Sequence, residues 1–168
     1  MAAQGAAVAA FFAILLGYFA SNLNQNVIVR KIFWYFISSI RAVPTLVYAL
    51  ILVKVLGQSV VAGVLALTIY STGMLSKQLK DFLDKKEIQG AFEIYRASGF
   101  ARTQTYISRI LVLIHQDFQE AVFHRFEINI RNASILGFLG AGGVGKTTLA
   151  RIYAKSLNAD YHELSAVS

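Results

Sequence analysis

The chain has 168 residues, of which 56% are hydrophobic and 15% charged, with mean hydropathy +0.54, formal net charge +7 and a pI near 9.8. Soluble domains carry about 25% charged residues, so this composition points to a membrane protein. The basic balance requires no nucleic acid, because basic residues of membrane proteins collect in cytoplasmic loops beside anionic lipid. The absence of cysteine excludes disulfides, thiolate zinc sites and thiol catalysis.

The first apolar run, Ala6 to Ala20, is short for a span, which needs about 20 helical residues. No basic residue precedes it and no small-residue cleavage site clearly follows, so it reads as the end of a span rather than a secretion signal. Polar residues Ser21 to Gln25 close it. A second segment opens at Val27 with Arg30 and Lys31 and is apolar and aromatic from Ile32 to Ile40. It is interrupted by Arg41-Ala42-Val43-Pro44 and resumes from Thr45 to Val55; Pro44 breaks or kinks the helix there. Trp34, Tyr35 and Tyr48 suit interfacial positions, and Lys54 is placed to snorkel. Val60 to Leu75 is the clearest span, dotted with Ala62, Gly63, Ala66, Ser71 and Gly73, which allow helices to approach closely in lipid.

Residues 76–109 change character. Lys77, Lys80, Lys85, Lys86, Arg96, Arg102 and Arg109 crowd this stretch, while Phe82, Phe92 and Tyr95 recur at helical spacing. It reads as a basic helical loop that the positive-inside rule places in the cytoplasm. Ile110 to Phe126 is a weaker span, because His115, Asp117, Glu120, His124 and Arg125 must face a bundle interior or a water-filled path. After the polar string Arg125, Glu127, Asn129, Arg131, Asn132 comes an octet, Gly140-Ala141-Gly142-Gly143-Val144-Gly145-Lys146-Thr147, that fits G-x-x-x-x-G-K-[ST].

Glu93-Ile94-Tyr95-Arg96-Ala97-Ser98-Gly99 resembles the cytoplasmic coupling loop of ABC importer permeases, in which Glu-Ala-Ala is followed three residues later by Gly. Arg41-Ala42-Val43-Pro44, Ala62 to Leu67, Gly73-Met74-Leu75, Arg125 to Arg131 and the glycines 137 to 145 resemble, in order, segments of the phosphonate-type permeases. Together these blocks cover roughly residues 10–145. The resemblance implies an all-α, polytopic membrane helical bundle of the type I importer permease kind. It also implies a homodimer in the inner membrane that passes a phosphonate- or phosphate-like oxyanion inward, performs no chemistry itself and carries no catalytic or metal-binding residue. An extracytoplasmic binding protein would deliver the substrate. An ATPase subunit, which binds the ATP, would dock on Glu93, Ala97 and Gly99. Arg41, Arg125, Glu127 and Arg131 become candidates for the gate or path, or for an ion-paired network that holds helices together. The sequence departs from the pattern where the family carries prolines after the coupling loop; Val112 and Gln116 stand there. The resemblance also leads one to expect the family's usual first span and part of its second before Ala6, and its final span after Gly145, and the sequence does not match it at those places.

The last 30 residues resemble the first βαβ unit of clamp-loader-like AAA+ ATPases. On that reading Ser134 to Leu139 is the leading strand, Gly140 and Gly145 free backbone N–H groups for a phosphate, Lys146 neutralises charge and Thr147 or Thr148 holds magnesium. Lys146 to Leu157 follows as a helix and Tyr161 to Leu164 as a strand. No downstream carboxylate is recognised as the second magnesium-binding or water-activating site, and one strand and one helix cannot bury a core. The expected organisation is a membrane domain over residues 1–139, with its coupling loop at 77–109, and a partial phosphate-loop-like tail over 140–168, joined as in a chimera. The alternative is an ATP-binding AAA+ fragment fused to a membrane segment.

Overall fold

The computed structural model describes residues 2–138, and all of its regular elements are helices. They are α1 (Ala2–Ala20), α2 (Val27–Ala42), α3 (Thr45–Leu56), α4 (Val60–Leu83), α5 (Lys86–Ala97), α6 (Arg102–Thr105), a π-helical stretch Tyr106–Ile110, α7 (Leu111–Leu113) and α8 (His115–Phe138). The octet with Gly140, Gly145, Lys146, Thr147 and Thr148, and the strand at Tyr161 to Leu164, lie outside the described residues. The strand expected at Ser134 to Leu139 is corrected: the chain is helical through Phe138.

The centre of the bundle is the pair α1 and α4. Gly5, Ala9, Ala13 and Gly17 recur every four residues and form one buried stripe on α1. A Cβ at Gly5 would lie 3.1 Å from Leu67, and one at Gly17 would lie 2.8 Å from Leu79. Both pairs share an offset of 62 residues with the hydrogen bond from Asn22 N to Asp84 Oδ1, at 2.7 Å. A constant offset along the whole contact means that the two helices run parallel and in register. Small residues bring the backbones together, and dispersion across the seam supplies the attraction that hydrophobicity cannot supply between helices in lipid.

Parallel α1 and α4 oblige the chain to return between them, and α2 with α3 makes that return. Asn26 starts α2, its side-chain oxygen accepting from Ile28 N and Val29 N at 3.1 and 3.3 Å. The helix ends at Ala42, and α3 continues at an angle of 83°. Pro44 is the cause. It has no N–H to bond the carbonyl of Ile40, one turn back, and the Tyr48 hydroxyl donates to that carbonyl instead, at 3.0 Å. Antiparallel α2 packs on α4 through Ile40 at Gly73 and through Trp34 beneath the Lys80 ammonium, 4.9 Å from the ring centre.

Among the described residues α1 and α4 are each long and apolar enough to cross a membrane, and α2 with α3 passes the same test as one bent pair. α4 runs eight residues beyond the expected Leu75. No helix over the span expected at Ile110 to Phe126 passes this test among the described residues. The chain turns at Ile114, and α8 then lies antiparallel to α4, with Ala121 in one cluster with Leu75 and Leu136 in another with Ala66 and Leu67. Arg30, Lys31, Lys77, Lys80, Lys85, Lys86, Arg96 and Arg102 gather at one end of this bundle.

Gly17→Val is expected to destabilise the bundle by about 1–3 kcal/mol through overpacking against Leu79. Gly90→Ala is expected to stabilise by about 0.5–1 kcal/mol, since Gly90 is mid-helix and an added methyl group would meet nothing within 4 Å. Thermal unfolding of the two variants in detergent checks both signs; equal midpoints would refute the seam.

Candidate functional site

The basic end of the bundle carries an elbow built on Asp84. This residue ends α4, its N–H bonded to Lys80 O. One carboxylate oxygen accepts from Asn22 N at 2.7 Å, the other from Lys80 Nζ at 2.6 Å, and its carbonyl accepts from Gln89 Nε2 at 3.1 Å. One residue thus fastens the ends of α1 and α4 to the start of α5.

α5 has two opposed faces. Ile88 and Phe92 are buried among Leu23, Leu79, Leu83, Tyr106, Ile110 and Ile114. Gly90, Glu93, Ile94 and Ala97 lie on the other face and are exposed, Ile94 by 69%. Glu93 makes no hydrogen bond or ion pair with any described residue. The helix stops at Ser98, and Gly99 follows at φ +91°, a left-handed conformation that an L side chain resists. The Arg96 guanidinium donates to Phe100 O at 2.7 Å and closes the turn. Arg102 reaches back to Leu23 O at 2.9 Å, and the Tyr106 hydroxyl donates to Ile14 O at 2.7 Å. Burial and the neighbouring Tyr18 push the Tyr106 phenol well above its ordinary range, so it remains a neutral donor.

The π-helical stretch widens the backbone so that Tyr106, Ile110 and Ile114 all reach the core. Val112 and Gln116, where the resemblance leads one to expect prolines, are both exposed here, Val112 by 68%. The π-helical stretch and the turn at Ile114 interrupt the regular helix in this region without a proline.

A second site lies inside the bundle. Ser71 is at the middle of α4, and Arg125 and Asn129 flank the middle of α8; all three are buried. Arg125 Nε donates to Ser71 Oγ at 3.2 Å, and Ser71 Oγ donates to Asn129 Oδ1 at 3.0 Å. The guanidinium carbon lies 4.7 Å from the centre of the Tyr70 ring. Arg125 Nη2 and Asn129 Nδ2 are buried donors with no acceptor among the described residues. Arg41 packs on the same part of α4, with its Nε 3.4 Å from Met74 Sδ. Glu127 and Arg131 pair at 2.8 Å on the opposite face of α8, with side chains 60% and 75% exposed. The four arginine and glutamate candidates therefore divide: Arg125 and Arg41 turn toward α4, Glu127 and Arg131 away from it. Sequence reasoning misses Tyr70, Ser71 and Asn129 as site residues, although Asn129 follows Arg125 by one helical turn.

The model of the binding-protein-dependent transport system inner membrane component family matches residues 13–167. The chain belongs to this family. It is 32% identical over 146 residues to the phosphate-import permease protein PhnE of Mycolicibacterium smegmatis, covering 86% of this chain and 27% of that protein. It is 28% identical over 146 residues to the phosphite transport system permease protein PtxC of Stutzerimonas stutzeri, covering 86% of this chain and 53% of that one. The chain thus spans between a quarter and about half the length of these curated relatives. No solved structure matches it significantly. As an inner membrane component with apolar helices, it is a multi-pass inner membrane protein. The family match runs through the glycine-rich octet to residue 167, and the resemblance of the tail to AAA+ ATPases gains no support. A phosphate loop joins a strand to a helix, whereas here a helix leads to within two residues of Gly140.

Gly99→Ala is expected to cost about 1–2 kcal/mol, from left-handed strain alone, since nothing lies within 4 Å of the added carbon. Chemical denaturation checks it; no change would mean that the turn relaxes to another conformation.

Proposed function

We propose that the chain is the transmembrane permease subunit of an ABC importer that moves a phosphate- or phosphonate-like oxyanion inward, driven by a partner ATPase. The observation that carries this reading is the elbow: α5 holds one face in the core through Phe92 and offers Glu93, Ile94, Ala97 and Gly99 on the other. An exposed isoleucine beside an unpaired carboxylate suits a helix that docks in a groove of a partner. The crowding of cations at this end supports placing the segment 77–109 in the cytoplasm, within a membrane domain over residues 1–139. The permease binds no nucleotide and performs no chemistry; ATP belongs to the partner subunit. A binding protein on the outer side fits the family's description as binding-protein-dependent.

The substrate class follows the relatives, whose names give phosphate and phosphite. Mid-bundle chemistry supports it. Arg125 is buried against the middle of α4, a helix long and apolar enough to cross a membrane, and an arginine at that depth costs about 2.5–3.5 kcal/mol. Its bond to Ser71 returns about 0.6 kcal/mol, and stacking on Tyr70 about 0.5–2 kcal/mol. At best this breaks even, so stability does not account for Arg125, whereas attraction of an anion does. Glu127 and Arg131 present charge at the same depth on an uncovered face, which lipid tolerates poorly. A second copy of the chain facing them, with the path between, removes that cost. Arg41 and Arg125 then serve as the gate on the α4 side.

Ile94→Asp is expected to reduce recovery of the partner ATPase in a pull-down about tenfold, as for an interfacial anchor; unchanged recovery would sink the docking assignment. Arg125→Met is expected to leave folded yield unchanged and to reduce uptake of labelled phosphonate to background. Full uptake by this variant would assign the buried cluster to packing alone.

A further inference from the structure

A cleft of about 360 Å³ opens at the basic end of the bundle, lined by Ala20, Asn22, Arg30, Lys31, Trp34 and Lys80. Its volume is at the lower end for small-molecule sites. Its chemistry is one-sided. Three cations line it, and no carboxylate does. Lys80 is shared with Asp84, at 2.6 Å, and lies over the Trp34 ring. Arg30 and Lys31 make no side-chain hydrogen bond or ion pair among the described residues. Two uncompensated cations therefore converge above a fixed third, beside an indole.

The location narrows the ligand. The cleft lies where α1 ends, α2 begins and α4 nears its end, at the boundary between the apolar spans and the charged elbow. At that level a membrane presents phosphate groups, and tryptophan is at home among them. The arginine fork and the ammonium groups match phosphate oxygens, and basic pockets between membrane helices bind anionic headgroups. We propose that this cleft binds the phosphate group of an anionic ligand, held by Arg30 and Lys31 against Lys80 and Trp34. This rests on the membrane placement of the chain and is independent of the transport reading. Neither the coupling face of α5 nor the buried Arg125 cluster takes part in it.

Trp34 is the chain's single tryptophan, so its emission reports on the cleft directly. The full chain in phosphatidylcholine nanodiscs is titrated with short-chain phosphatidylglycerol, short-chain phosphatidylcholine or inorganic phosphate. Phosphatidylglycerol is expected to give a saturable change in emission that phosphatidylcholine does not. In Arg30→Gln/Lys31→Gln the apparent affinity is expected to fall about 10- to 30-fold, with Lys54→Gln, at the end of α3, behaving as the unaltered chain. If inorganic phosphate alone gives the same saturable change and competes with the lipid, the cleft is a site for free phosphate. Absence of a saturable response to both anions overturns the proposal, and so does unaltered affinity in the double variant. The titration of the unaltered chain decides the matter even if the double variant fails to fold.

Discussion

The in-register parallel contact between α1 and α4 is the constraint on which the other contacts depend. Two parallel neighbours cannot be joined by a short loop, so the chain must traverse the bundle once between them. The α2–α3 pair does so, and the Pro44 break is tolerated because Tyr48 supplies the hydrogen bond that Pro44 cannot. The same parallel direction brings the C-terminal ends of α1 and α4 to one level. Only there can Asp84 take Asn22 N and Lys80 Nζ together. Remove the small residues of the α1 stripe and this level is lost, because larger side chains would push Leu79 and with it the end of α4 away from α1.

The elbow is in turn seated on that level. Gln89 on Asp84, Arg102 on Leu23 and Tyr106 on Ile14 join the segment that follows α4 to the ends of the long helices by hydrogen bonds. Phe92 and Ile88 fill the space beneath. A force applied to the outer face of α5 therefore passes to α1 and α4 through short connections rather than through a loose loop. Ordinary surface helices need no such anchoring. Held on one face and bare on the other, α5 fits the docking role proposed for it.

The spans are legible in the sequence where apolar runs and small residues coincide, as in α1 and α4, and at Pro44, where one residue type dictates the break. Gly99 is legible as a turn because glycine relieves a steric restriction that other residues cannot. The extent of α8 is not legible. The apolar run that opens at Ile110 lies before the turn at Ile114, and the polar string from Arg125 to Asn132 closes the expected span at Phe126, so hydropathy marks neither end of this helix. The structure begins the helix at His115 and continues it to Phe138, since packing on α4 buries Arg125 and Asn129 while leaving Glu127 and Arg131 outside. Period alone separates those pairs, but only the neighbour tells which face is inward. The roles of Ser71 and Asp84 are equally hidden: each acts through partners more than 50 residues away in the chain.

The two faces of α8 also explain why its hydropathy is so unlike that of α1. A helix packed in lipid on its outer side would carry leucines where Glu127 and Arg131 stand. One with a purely structural inner face would carry small or aliphatic residues where Arg125 and Asn129 stand, as α1 does. α8 has neither, and its two unpartnered donors, Arg125 Nη2 and Asn129 Nδ2, both seek an acceptor. An acceptor that arrives from outside the chain and bears negative charge meets the needs of both. On the proposed reading, such donors, sequestered at the mid-depth of the bundle, come into use when the helices that bury them move apart, and the elbow at the end of α4 is where a docked partner would move them.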